Sequence, residues 1–411
     1  MTTDEGNEMS NRSTGHWPTL AACFLHFDLS FMLWVLLGAL GIFIAESAGL
    51  SAAQKALMVA VPILSGSLLR IPIGLLSDRF GGKRIGTLVL AFLFVPLATG
   101  WQAGSGLPTL LAVGLMLGTA GSSFAVALPL ASRWYPPQRQ GLVMGIAAAG
   151  NSGTVITNLL APRLAAVVGW HNVLGLAMLP LAAVLVAFVL MARDNPAHHQ
   201  KQPLKNYLSS LKVDDLWWFC FFYSITFGGY VGLSTFLPIF FRDQYALKPV
   251  TAGYLTALAA FVGSGVRPLG GYLADKYGGA RLLSLLLFCV GATYLLCSRL
   301  PELPIMSATL VAVMGLLGLG NGAVFQAVPQ RFRQDVGVAT GFVGAIGGLG
   351  GFLVPILLGG VKQYSGSFAA GFVVVAIVAF GGAVVLRALI GLQSGWRVSW
   401  QAQGDEAFEE S

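Results

Sequence analysis

The chain has 411 residues, 55% of them hydrophobic and only 10% charged, with 53 glycines and a formal net charge of +7. A soluble domain carries about 25% charged residues, and a single core cannot hide this much apolar surface from water. Lipid is therefore the expected solvent, and a nucleic-acid binder is excluded because the basic residues are scattered over loops and form no stripe.

In chain order, residues 1–17 form a polar, acidic tail without the basic start and short apolar core of a cleaved signal peptide. Six apolar stretches follow, at about 18–45, 56–77, 84–103, 108–132, 140–167 and 170–192. A polar segment, 193–215, carries His198, His199, Lys201, Lys205 and Lys212. Six more stretches occupy about 216–241, 250–274, 280–299, 304–328, 336–361 and 366–391, before a polar tail at 392–411. A membrane-spanning helix needs about 20 apolar residues, so twelve use roughly 240 positions and leave only short loops. The pattern predicts an all-α membrane protein with 12 transmembrane helices in two six-helix halves, 18–192 and 216–391, joined by a linker. Four cysteines, Cys23, Cys220, Cys289 and Cys297, sit singly inside apolar runs and read as small apolar fillers.

Lys and Arg are retained on the cytoplasmic side in short loops. Thirteen fall in the even-numbered loops and the linker, against six in the odd-numbered loops. Both termini and the linker are therefore expected in the cytoplasm, with the chain spanning the cytoplasmic (inner) membrane.

An internal repeat at an offset of 197 relates Arg70-Ile-Pro-Ile-Gly74-Leu-Leu-Ser-Asp78-Arg79 to Arg267-Pro-Leu-Gly-Gly271-Tyr-Leu-Ala-Asp275-Lys276, each continuing through Gly-Gly to Arg84 and Arg281. The second and eighth helices are thus counterparts. Parallel repeats imply halves related by an axis along the membrane normal, with a substrate site between them near the midplane.

Arg70 and Arg267 each precede the loop aspartate by eight residues, a rise of about 12 Å in a helix. Both guanidiniums are expected near mid-membrane, where a charge costs at least about 2.5–3.5 kcal/mol and normally marks a pathway; the alternative is snorkelling to the interface. Two facing guanidiniums with no acid on their own helices repel unless an anion lies between them. Their planar fork favours carboxylate, nitrate or nitrite over halide. Phe124, and Tyr223 with Phe227 one helical turn apart, are candidate cavity walls, with ordinary helix or lipid packing as the alternative. Gly150, Gly153, Gly344, Gly347, Gly348 and Gly351 lie in two runs of small residues and are expected to let helices approach closely. Asn151, a polar amide inside an apolar span, wants a partner and can donate to the same anion.

The duplicated loop pattern resembles the signature loop of the major facilitator superfamily. That resemblance assigns Gly74, Asp78, Arg79, Arg84, Gly271, Asp275, Lys276 and Arg281 to gating and to the stability of the transport states. Together with Arg70 and Arg267, the runs Ala149-Gly-Asn-Ser-Gly153 and Gly344-Ala-Ile-Gly-Gly-Leu-Gly-Gly351 resemble the nitrate/nitrite porter family within it, over the whole chain. The resemblance implies a carrier whose paired arginines bind nitrate or nitrite, with Phe124, Asn151, Tyr223 and Phe227 lining the site. It implies either proton-coupled uptake or nitrate/nitrite exchange; separately, no cofactor and a monomer in the bilayer are expected. Moving a monovalent anion inward against the membrane potential costs about 2.3 kcal/mol per 100 mV, so uptake requires exchange or coupling to protons. Asp28, inside the first span beside His26, is the proton-coupling candidate, with His26 sharing the proton; a structural carboxylate or a charge partner for an arginine is the alternative. An organic-carboxylate antiporter is the competing reading of the same two arginines. Nothing in the sequence pairs a nucleophile with a base, clusters metal ligands or forms a phosphate loop, so an enzyme is not expected.

Overall fold

The computed structural model describes residues 15–102, 104, 106–135, 143–144, 146–196, 211–332, 336–393 and 396. Most of both tails and of the linker, together with Arg139, Gly145 and Arg333, lie outside the described residues. Every regular element among the described residues is helical.

Among the described residues, ten helices are long and apolar enough to cross a membrane, including Ala52–Phe80, Pro249–Tyr277, Leu303–Val328 and Val338–Ser365. They match ten of the predicted spans. The first span is instead split into Trp17–Trp34, Leu36–Ala39 and Gly41–Ala48. The fifth is described as a 3-10 turn, Ala149–Ser152, running into Gly153–Val168. Burial separates inner helices from outer ones: 94% of the apolar window of Asp214–Tyr245 is buried, against 22% for Trp170–Met191. The seventh helix therefore faces protein on all sides, whereas the sixth presents most of its surface to lipid.

The halves meet along the second and eleventh helices, the fifth and eighth, and the first and seventh. Close approach needs small residues: a Cβ at Gly38 would meet the Thr235 carbonyl oxygen at 2.6 Å, and one at Gly253 would meet that of Asn158 at 2.6 Å. The free cysteines Cys23, Cys220 and Cys297 are buried among apolar side chains.

The two ends of the bundle are wired differently. At the end predicted to face outward, polar links cross between the halves. Lys55 Nζ donates to Asp243 Oδ1 at 2.8 Å, Arg242 pairs with Glu46 at 2.8 Å, and Arg163 lies over the Tyr254 ring and donates to its hydroxyl. At the opposite end, the described pairs stay within one half. Arg133 pairs with Asp78, the Lys83 amide donates to Asp194 at 3.2 Å, Gln326 donates to Asp275 at 2.8 Å, and Arg331 pairs with Asp215. Thus the carboxylate of each signature loop is held by the neighbouring fourth or tenth helix. The loop cations behave alike in the two copies, since Arg79 lies over Phe80 at 5.4 Å and Lys276 over Tyr277 at 5.2 Å.

Candidate anion site

Arg70 emerges from the middle of the second helix and is 2% exposed. Three local features hold its guanidinium. The fourth helix tightens into a 3-10 segment, Gly118–Ser123, where the Gly121 carbonyl accepts from Arg70 Nε at 2.9 Å. The eleventh helix supplies the Gly344 carbonyl, which accepts from a terminal nitrogen. Aromatic faces complete the cradle, with Arg70 Cζ lying 5.2 Å from the Trp34 ring centroid, 5.0 Å from Phe124 and 5.2 Å from Phe227. Nη2 of this guanidinium is buried and has no protein partner.

Arg267 reaches the same place from the other half. The eighth helix breaks at Val266, and Arg267 opens the segment Arg267–Tyr277 with Pro268 behind it, whose missing N–H suits a first turn. Its Cζ lies 6.0 Å from the Phe227 ring centroid and 5.6 Å from Phe325, and a terminal nitrogen donates to the Tyr223 hydroxyl at 3.1 Å. Both guanidiniums thus approach one ring, Phe227, and no carboxylate of the described residues pairs with either. A desolvated cation over an aromatic face gains about 2 kcal/mol, which offsets part of the burial cost but leaves the charges of the pair uncancelled.

The seventh helix widens to a π-turn, Ser224–Gly228, at this level. Single π-turns inside α-helices recur at functional sites. Here the turn sets the Tyr223 and Phe227 rings parallel, 4.9 Å apart with 1° between planes. The glycines of the eleventh helix admit these groups. A Cβ at Gly344 would meet the Phe124 ring at 2.9 Å, one at Gly347 would overlap the Tyr223 ring, and one at Gly348 would overlap the Ser67 hydroxyl.

Arg70, Arg267, Phe124, Tyr223, Phe227, Gly344, Gly347 and Gly348 are therefore brought together. Gly351 packs farther along, on Ile63 and the seventh helix. Gly150 and Gly153 instead serve the contact of the fifth helix with the first, where added Cβ atoms would strike the Asp28 backbone. Asn151 is buried in the 3-10 turn Ala149–Ser152, and its Oδ1 has no protein partner. Asp28 Oδ1 accepts from the Ser152 hydroxyl at 2.6 Å, so the carboxylate bonds to the fifth helix and pairs with neither arginine. His26 turns away from Asp28: its Nε2 lies 3.2 Å from the Gly86 carbonyl and its Nδ1 2.6 Å from Ser123 Oγ. A carbonyl only accepts, so Nε2 carries the hydrogen and Nδ1 takes the Ser123 proton in its hydrogen bond. Both nitrogens are occupied, and the pair expected to share a proton is not in contact. Of the signature-loop residues, Asp78, Arg79, Asp275 and Lys276 lie at the ends of the second and eighth helices, Arg84 and Arg281 open the third and ninth, and Gly74 and Gly271 lie one turn after the two arginines.

Sequence reading missed Phe325, Trp34, Ser67 and the Gly121 carbonyl. A signal for Phe325 exists, since Gly121-Ser-Ser-Phe124 and Gly322-Ala-Val-Phe325 share Gly-x-x-Phe at corresponding places of the fourth and tenth helices. The two rings stand 5.9 Å apart across the site.

Comparison with known proteins fits this geometry. The family model of the Major Facilitator Superfamily matches residues 22–355. The "Nitrite extrusion protein" of Bacillus subtilis is 34% identical over 358 residues, 87% of this chain and 90% of that one. The Thermus thermophilus protein named "Probable nitrate/nitrite antiporter NarK1" is 34% identical over 83% of this chain and 84% of its own. In fold, the chain resembles the crystal structure of a bacterial homologue of the human lysosomal transporter Spinster, inward-facing and occupied. That match has a TM-score of 0.64 and 19% identity, covering 92% of this chain and 96% of the other. The chain is thus a multi-pass membrane transporter, not an enzyme, and it belongs to the nitrate/nitrite porter family of the major facilitator superfamily.

Proposed function

We propose that the protein carries nitrate and nitrite across the cytoplasmic membrane by alternating access, with one anion held between Arg70 and Arg267. The observation that carries this reading is the buried guanidinium of Arg70 and the half-buried one of Arg267 converging on Phe227 without a carboxylate of the described residues. An anion between them cancels one of two like charges in a low-dielectric interior, and a small planar oxyanion matches the guanidinium fork. The printed functions of the relatives, nitrite extrusion and nitrate/nitrite antiport, point to the same substrates.

The asymmetry of the ends supports alternating access. The links Lys55–Asp243, Arg242–Glu46 and Arg163–Tyr254 lock the halves together at the outward end, and must part for the site to open there. The charge pairs at the other end tie helices within each half, so that each half can rock as a unit. Both termini face the cytoplasm in this reading, as the Lys and Arg distribution requires.

Coupling follows from charge. The empty site keeps two mutually repelling cations, which disfavours closure without an anion and suits exchange. Asp28 is the one carboxylate in the interior of a span, and it is the residue through which proton-driven uptake would run. Proteoliposomes loaded with nitrite and given labelled nitrate test the proposal: counterflow of nitrate, resistant to formate and oxalate, is expected. No counterflow, or displacement of nitrate by formate at equal concentration, would replace it with a receptor or an organic-anion antiporter, respectively.

A further inference from the structure

A second pair of arginines, Arg281 of the signature loop and Arg387 of the twelfth helix, lines a crevice apart from the central site. This crevice of about 850 Å³ lies among the ends of the eighth, ninth and twelfth helices, lined by Leu273, Tyr277, Arg281, Leu285 and Arg387. Tyr277 is 51% exposed and Leu285 56%, so the crevice opens sideways to the bilayer. Arg387 Nε donates to Ser284 Oγ at 3.2 Å, which aims the guanidinium into the crevice from the twelfth helix. No carboxylate of the described residues lies within 4.0 Å of Arg281 or Arg387.

We infer that this crevice binds the headgroup of an acidic phospholipid, with Arg281 and Arg387 on the phosphate and the leucines against an acyl chain. Three features favour a lipid over a soluble anion. Arg387 is five residues before the end of Ala369–Leu392, hence about 7.5 Å inside it, at the depth where phosphates meet hydrocarbon and where a long cation snorkels. The wall is apolar and faces the membrane, which a free phosphate would leave bare. Basic pockets between membrane helices bind acidic lipid headgroups in this manner. The feature is also specific to one half, because the corresponding end of the sixth helix, Leu185 to Ala192, has no charge. Asp275, the nearest signature-loop acid in sequence, is engaged by Gln326 at 2.8 Å.

The test is native mass spectrometry of the full-length protein in detergent without nitrate, offered equal amounts of phosphatidylglycerol and phosphatidylcholine. The wild type is expected to retain phosphatidylglycerol preferentially. Arg387→Leu should lower that retention about fivefold, the equivalent of about 1 kcal/mol for one surface cation, and Arg387→Lys should retain part of it. Should Arg387→Leu not yield folded protein, Arg387→Gln provides the same comparison. Equal retention of the two lipids by the wild type, an unchanged preference in the neutral variant, or capture of inorganic phosphate without lipid preference would overturn the inference. Nitrate plays no part in this assay, so its failure would leave the central site untouched.

Discussion

Arg70 and Arg267 occupy the same place in an internal repeat, yet the structure treats them differently. Arg70 projects from an unbroken helix, is sealed from solvent, and is tied to carbonyls of both halves, Gly121 and Gly344. Arg267 follows a helix break, is half-buried, and leans on a single phenol. Sequence symmetry thus sets height in the membrane, while the surroundings decide how firmly each charge is held. In the proposed transport cycle the first arginine would serve as the anchor on which the halves converge, and the second as the adjustable arm that closes on the anion.

This contrast yields a ranked set of expectations. Arg70→Lys should be the most damaging, because a compact ammonium cannot span two carbonyls and an anion at once. Losing two charge-assisted hydrogen bonds of about 1.5–3 kcal/mol each predicts at least a 100-fold loss of nitrate binding, read by titration of the purified protein. Thermal stability should fall as well. Arg267→Lys should weaken binding about 10- to 100-fold with little change in melting temperature, since only one protein hydrogen bond is lost. Equal effects of the two lysines on stability would erase the distinction between anchor and arm.

Asp28→Asn sharpens the contrast from another side, because the carboxylate lies only in the N-terminal half. It should abolish uphill, proton-driven nitrate uptake in vesicles and spare nitrate/nitrite exchange. Unchanged proton-driven uptake would remove Asp28 from the coupling step. Gly347→Ala places a methyl group into the Tyr223 ring and should reduce transport about tenfold by pushing the phenol off Arg267, an overpacking cost of about 1–3 kcal/mol. Tyr223→Phe keeps the ring and removes only the hydroxyl acceptor, so a loss of about fivefold in affinity, near 1 kcal/mol, is expected.

Much of this was legible in the chain. Ten of the spans follow from apolar length alone, because the bilayer imposes one element type and one length. The repeat located both arginines, and the Tyr223–Phe227 spacing placed two rings on one face. What escaped were departures from the regular helix: the 3-10 segment at Gly118–Ser123, the π-turn at Ser224–Gly228 and the break at Val266. Periodicity assumes a constant twist, so it cannot tell that Gly121 turns its carbonyl to Arg70, or that the break carries Arg267 toward Phe325. His26 and Asp28, two residues apart, looked like partners in the sequence. On a helix that spacing separates side chains by about 200°, onto opposite faces, and they bond to different neighbours.

The proposed site holds one anion, shared by both arginines. Titration of nitrate into the purified wild type, Arg70→Lys and Arg267→Lys proteins, read by calorimetry with chloride as the background salt, addresses it most directly. The expected result is one nitrate per chain in the wild type and a marked loss of affinity in each variant. Two nitrates per chain, or either lysine variant binding as tightly as the wild type, would contradict it.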